Sequence, residues 1–233
     1  MDGDGKDYVD SEASEQNSTG QIVIDVAANK QAMGYVSLGS ADSTVKKLVV
    51  DGVEATAENI LNNTYKFYRP FNIVVKDGLS DAAQDFIDFI LSDEGQVVVV
   101  SRDCVPLPES KGAYTPSVTE GSVKVHGSSS IAPLMEKFVE AYAVVNPGVS
   151  VTVSSTDSGT GVSDAAGGLA DIGMVSRDVR DSEKELGLED IVICYDGIAI
   201  IVNNANSLNE ITSDTVKEIF IQGGSIKKWE DLP

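Results

Sequence analysis

Short apolar, β-branched runs alternate along this chain with stretches whose apolar residues recur every three or four positions, and that alternation restricts it to an α/β architecture. The spacing predicts strands at 33–38, 45–50, 71–75, 123–126, 149–153, 171–175, 191–193 and 198–202. Helices are expected from Ser18 to a close at Asn29, around 57–61, and behind Ser80-Asp81, where Ala83, Phe86, Ile87 and Ile90 share a face. A helical restart at Ser92 runs into the valines of 97–100. Further helices follow Pro133, with Leu134, Phe138 and Tyr142 inward; Asp157, ending at Gly167-Gly168; and Thr212, with Val216, Ile219 and Phe220 inward. Asp51-Gly52 is a turn signal, and 226–232 trails off. The expected sheet is largely parallel, and no internal repeat is visible.

Residues 1–20 are polar, acidic and without periodicity, and read as a mobile arm. The stretch 106–119 carries Pro106, Pro108, Gly112 and Pro116 and reads as a linker. With 233 residues the chain suits one large domain or two lobes. Met1 is followed by Asp2, Asp4 and Asp10, so no signal-peptide pattern opens the sequence, and no apolar run reaches bilayer length.

Seventeen basic against 37 acidic residues give a formal net charge of −20, which argues against nucleic acid or an anionic membrane surface as a partner. An anionic ligand would have to be held by local dipoles against that field. Cys104 and Cys194 form no CxxC and have no histidine beside them, so no metal site is expected; whether they pair as a disulfide or stay as two buried thiols is open. His126, the single histidine, has no carboxylate and nucleophile in a recognisable arrangement, and no catalytic residue is expected.

Three segments share one design, in which a strand ends, small hydroxyl or glycine residues follow, and a helix usually begins. They are Gly127-Ser128-Ser129-Ser130, Ser158-Gly159-Thr160-Gly161 and Val175-Ser176-Arg177. In an open α/β sheet, ligands sit at the carboxyl ends of strands. Backbone N–H groups with Ser or Thr hydroxyls there make a donor cage for an oxyanion, and hydroxyls also accept. Each segment alone is better explained by helix capping; the set of three is the signal. Trp229 and Tyr35 read as core rather than as stacking surfaces.

The stretch from Val125 to Lys137, with its Gly127-Ser128-Ser129-Ser130 loop, resembles the opening strand, loop and helix of phosphate-binding proteins, the solute receptors of phosphate ABC transporters. Asp157-Ser158-Gly159-Thr160-Gly161-Val162, Ala170-Asp171-Ile172-Gly173-Met174-Val175-Ser176-Arg177, and Asp196-Gly197-Ile198-Ala199 continue the likeness, as do Ile219-Phe220 and Lys228-Trp229. Gly34-Tyr35-Val36-Ser37, Arg69-Pro70 and the segment 86–96 resemble that family's C-terminal half.

The resemblance implies a type II periplasmic-binding-protein fold: two lobes with mixed, mostly parallel sheets. Residues 1–45 and 203–233 would belong to lobe two and 46–202 to lobe one, with 106–119 as the joint. The family's late half here precedes its early half, which implies a circular permutation, a fragment of two tandem copies or an engineered chain. The arginine-containing Gly-Ser-Gly-Thr loop that the family draws from lobe two is not found in these residues, which leaves two expectations: impaired phosphate binding, or a scaffold without ligand. By resemblance, phosphate would be held by Ser129, Ser130, Ser158, Gly159, Thr160, Ser176 and Arg177, without a cofactor. Ser176 stands where some members have an aspartate, and Asp157 where many have glycine. Arg177 contacts ligand or else pairs locally with Asp178 or Asp181. The implied partner is a membrane ABC permease and the implied location extracytoplasmic; a swapped homodimer is a further possibility.

Overall fold

The computed structural model describes residues 9–232. Along the chain run α1 (Thr19–Ala28), β1 (Met33–Ser37), β2 (Val45–Lys47), β3 (Val49–Val50), α2 (Ala57–Leu61), β4 (Tyr68–Lys76), α3 (Asp81–Leu91) and α4 (Asp93–Val100). There follow β5 (Gly121–Ser128), α5 (Ala132–Val145), β6 (Val149–Thr156), α6 (Ser158–Gly167), β7 (Ile172–Val175), α7 (Asp181–Lys184), β8 (Leu188–Asn203), β9 (Glu210–Ile211) and α8 (Ser213–Phe220). No described helix is long and apolar enough to cross a membrane.

The helices begin where side chains can satisfy orphan N–H groups. Ser18, Thr56, Ser80, Ser92, Asp157 and Thr212 each accept from the backbone N–H three residues on. α5 and α7 are the exceptions: Ile131 supplies no side-chain cap and Pro133 in the first turn removes one N–H that would need one, while in α7 Glu183 reaches back to accept from Arg180 N–H. The two strands expected at 191–193 and 198–202 are parts of the single long β8.

The chain forms two compact units, Met1–Phe67 with Gly197–Pro233, and Tyr68–Asp196. Residues 46–67 and 197–202, assigned from sequence to the larger lobe, belong to the former. Of the expected mobile arm, residues 1–8 lie outside the described residues. Val9 bridges Ile221, Asp10 N–H donates to the Phe220 carbonyl, and Asp10 pairs with Lys227.

In the unit holding the chain ends, β1 and β2 pair antiparallel with the second half of β8, and β3 pairs parallel with β9. Asp51 and Gly52 both have positive φ (51° and 76°), and Val50 and Val53 exchange backbone hydrogen bonds across them. This is the turn that an Asp-Gly pair favours. Asn203 donates to the carbonyls of Val26 and Ala27, closing the end of α1, and the Trp229 indole donates to the Gln31 carbonyl.

The Tyr68–Asp196 unit is a three-layer α/β sandwich with strand order β8–β4–β7–β5–β6. β5 lies parallel to both β6 and β7, whereas β4 is antiparallel to β7. The sheet is therefore mixed, and less parallel than the alternation of helices and strands suggested. Phe71, Ile73, Val75, Ile172 and Met174 join α3, α4 and α5 in the main core through Phe86, Phe89, Ile90, Val99, Phe138 and Tyr142. Val74 and Val175 point to the opposite face, where Val162 and Ala165 of α6 meet Val179 and Leu188. Successive strand residues thus serve both faces, which is why these strands read as continuous apolar runs.

The segment 106–119 has no helix or strand, yet it is fastened at many points. Leu107 N–H donates to Gln96, Lys111 N–H to the Leu91 carbonyl, and Tyr114 N–H to Glu94. Its strongest anchor is Asp85 of α3, 1% exposed, which accepts from Tyr114 (2.5 Å), Ser117 N–H and Oγ (2.6 and 2.7 Å), Tyr142 (2.6 Å) and Asn146 (3.0 Å). Burial raises the Asp85 carboxyl, but the bonds from Tyr114, Tyr142 and Ser117 outweigh it and hold the group at about 2. Burial and the same carboxylate push the Tyr114 hydroxyl up to about 12 and raise Tyr142 too.

Candidate functional site

The three parallel strands β6, β5 and β7 end together, because the register places Ser128 opposite Thr156 and Gly127 opposite Met174. Their carboxyl ends carry the three small-residue segments singled out in the sequence. Ser129 N–H donates to the Thr156 carbonyl (3.1 Å), which ties the first segment to the end of β6. Ser128, buried, donates through Oγ to Ser176 Oγ (2.8 Å) and accepts from Ser130 N–H (3.2 Å). Ser176 N–H donates to Ser158 Oγ (3.2 Å). One chain of hydrogen bonds therefore joins all three segments, from Ser130 through Ser128 and Ser176 to Ser158.

Glycines permit this approach. Gly127 has φ of +130°, and a Cβ there would lie 2.5 Å from the Met174 carbonyl oxygen. A Cβ on Gly161 would meet Gly127 Cα at 2.9 Å, and one on Gly173 would meet the Gly161 carbonyl at 2.4 Å. The start of α6 thus rests on bare backbone of β5 and β7, which brings its N-terminus, with its partial positive charge, to the strand ends.

The predicted donors fare differently. Ser158 Oγ accepts from Ser176 N–H and Ser176 Oγ accepts from Ser128, so both hydroxyls keep a proton to donate. Thr160 is engaged within its own helix: its N–H and Oγ1 donate to the two carboxylate oxygens of Asp157 at 3.0 and 2.6 Å. Those bonds from Thr160 lower the Asp157 carboxyl below its ordinary range. Arg177 forms a two-pronged ion pair with Glu183 (2.8 and 2.7 Å) and donates to the Asp178 carbonyl. The local partner is therefore Glu183, not the side chain of Asp178 or Asp181, and an anion would have to share the guanidinium with it. The Arg177 hydrogen bond, working against burial, lowers Glu183.

Sequence reasoning passed over Ser128 as the link between segments, Glu183 as the arginine's partner, and the interlock of three glycines. The glycines were visible, one in each segment or beside it; the Arg177–Glu183 pair depends on the turn before α7. His126 does acquire a carboxylate, since its Nδ1 lies 2.8 Å from Asp164 of α6. That contact clamps β5 to α6 behind the loops. Cys104 and Cys194 are free, buried thiols in contact, and burial followed by the Cys104 contact raises the Cys194 thiol. Among the described residues no group of three or more His, Cys, Asp or Glu side chains is placed to hold a metal ion.

A donor cage at the ends of parallel strands, with no paired nucleophile and base, is equipped to hold an oxyanion. Known proteins agree on the lineage. The family model described as "PBP superfamily domain" matches residues 112–233. The phosphate-binding protein PstS 2 of Streptococcus agalactiae is 44% identical over 231 residues, 99% of this chain and 78% of that protein. This chain belongs to the PstS-type phosphate-binding protein family. A second family member, PstS 2 of Streptococcus pneumoniae, is 38% identical over 232 residues, 99% of this chain and 79% of that protein. The crystal structure of a phosphate-binding protein of a phosphate ABC transporter from S. pneumoniae TIGR4 superposes with a TM-score of 0.76 at 38% identity, covering 100% of this chain and 90% of that one. PstS-type proteins are solute-binding proteins rather than enzymes, and the mixed α/β architecture described above is the family's fold.

Proposed function

We propose that this chain binds inorganic phosphate as the extracytoplasmic solute receptor of an ABC importer, handing it to a membrane permease. The observation that carries the reading is the hydrogen-bonded chain Ser130–Ser128–Ser176–Ser158 at the joint ends of β5, β6 and β7, in a protein alike over its whole length to phosphate-binding proteins. Ser129, Ser130, Ser158 and Ser176 supply hydroxyls. The N–H groups of Ser129, Ser130 and Ser176 are taken by protein acceptors and that of Gly159 bonds the Asp157 carboxylate, so the hydroxyls are the principal donors of the cage and Gly159 joins them only by exchanging that bond. Thr160 and Arg177 contribute only by exchanging or sharing the bonds they make to Asp157 and Glu183.

On this reading the order of segments is natural, and shared with the streptococcal relatives. The support is that likeness to them runs over 99% of the chain, whereas the superfamily model matches only from residue 112 onward. No observation favours impaired binding or a ligand-free scaffold.

Isothermal titration of the full chain with inorganic phosphate tests the proposal. Saturable binding at micromolar or tighter affinity is expected, reduced in Ser158→Ala and Ser176→Ala. A flat titration overturns it. Turnover of a chromogenic phosphate ester would instead favour a hydrolase.

A further inference from the structure

α6 delivers the Ser158 hydroxyl to the proposed cage, so whatever fixes that helix fixes this donor. Its inward residues Val162 and Ala165 pack with Val74 and Val175, a contact that is apolar and without direction. Two directed contacts reach it from β5. Gly161 lies against the β5 backbone, where a Cβ would meet the His126 carbonyl at 3.0 Å. Three residues on, the Asp164 carboxylate accepts from His126 Nδ1 at 2.8 Å, with both side chains largely buried. A helix touching a strand at one point can pivot, whereas contacts at 161 and 164, on one helix face, fix its direction. His126 also immediately precedes Gly127, and so stands at the head of the loop that carries Ser129 and Ser130.

We propose that His126 is a positioning residue for phosphate: acting through Asp164, it holds the start of α6 against the Gly127–Ser130 loop, and holds it more firmly when the imidazole is charged. The inference rests on the phosphate-site reading above. An imidazole changes charge between about pH 5 and pH 8, and a charged N–H bonds a carboxylate more strongly than a neutral one. Few other charges bear on the pair. β6 and β7, the strands on either side of β5, carry no charged side chain, and α6 carries only Asp164 behind its cap Asp157. β5 adds only Lys124, whose N–H donates to Asp171, and Lys76 of β4 donates to the Ala166 carbonyl at the far end of α6. The proton on His126 is therefore felt chiefly by Asp164, and through it by α6.

The test is titration of the full chain, His126→Asn and Asp164→Asn with inorganic phosphate at about pH 5.5 and about pH 8, on either side of the imidazole range. Asparagine at 126 can donate to Asp164 but never takes a charge, and urea unfolding checks that each variant is folded. Comparing proteins at one pH cancels the titration of phosphate itself. The loss of phosphate affinity in His126→Asn should be roughly threefold or more larger at the lower pH than at the higher. Asp164→Asn should lose at least as much at the lower pH, and the double variant no more than Asp164→Asn alone. A ratio of wild-type to His126→Asn affinity that does not move with pH overturns the assignment and leaves the site reading intact. Wild-type protein that binds no phosphate at either pH overturns both.

Discussion

The hydroxyl of Tyr142 in α5 donates to the carboxylate of Asp85 in α3 at 2.6 Å, deep in the Tyr68–Asp196 unit, and this bond organises the joint between the two halves of the sequence. The same carboxylate holds Tyr114 and Ser117 from the proline-rich segment. A stretch that looks like a flexible linker is thereby bound to two helices. Buried polar networks of this kind favour one arrangement strongly, because any partial loss strands a charge without its donors.

Removing the hub should cost far more than removing one spoke. Asp85→Ala leaves two tyrosine hydroxyls and the N–H and hydroxyl of Ser117 without their acceptor, and is expected to destabilise the protein by about 3 kcal/mol. Tyr142→Phe removes one bond of several and should cost about 1–2 kcal/mol. Urea unfolding followed by tryptophan fluorescence and circular dichroism measures both; equal losses would contradict the hub.

Acid should attack the same place. Asp85 is held at about 2, below its ordinary 3.8, so its contribution to stability is present above the ordinary value and is lost as pH falls from there toward 2. Glu183, lowered by Arg177, loses its contribution in the same direction. Between about pH 5 and about pH 2 the urea midpoint of wild-type protein should fall more steeply than that of Asp85→Asn. Parallel curves for the two proteins would show that Asp85 does not carry the acid sensitivity.

The glycine interlock makes opposite predictions for a glycine inside it and one outside it. Gly127→Ala places a Cβ 2.5 Å from a carbonyl oxygen at a φ of +130°, so a loss of roughly 3 kcal/mol and of phosphate binding is expected. Gly167, at the far end of α6, has nothing within 4 Å of such a Cβ. There alanine should be neutral or stabilise by about 0.5 kcal/mol, with binding unchanged. Thermal unfolding and phosphate titration of the two variants decide the matter.

The two thiols offer a check on packing. Cys104 and Cys194 are 3% and 0% exposed, and burial raises the Cys194 thiol, so little reactive thiolate forms there. Both should resist Ellman's reagent in the native protein and react promptly in denaturant. Rapid labelling of the native chain would mean that this part of the core opens readily.

Local signals were legible wherever one residue type has one dominant local use. The capping hydroxyls at Ser18, Thr56, Ser80, Ser92 and Thr212, and the Asp51-Gly52 turn, stand where chain-local chemistry puts them. The three small-residue segments were readable too, because a strand followed by Gly and Ser has few structural uses. Partners distant in sequence were not. Asp85 gathers donors from α5 and the proline-rich segment, Arg177 finds Glu183 beyond an intervening turn, and His126 finds Asp164 across a helix–strand contact.

By itself, then, the sequence determined the alternation of helices and strands, most helix starts, and the presence of loops suited to an oxyanion. Propensity, capping and turn chemistry act over a few residues, and so can be read from them. Only the tertiary structure decided which strands run antiparallel, that the proline-rich segment is anchored, and that Ser128 and Ser176 join the loops into one network. Those outcomes depend on which buried polar groups meet once the chain has closed, and burial makes unmatched partners costly.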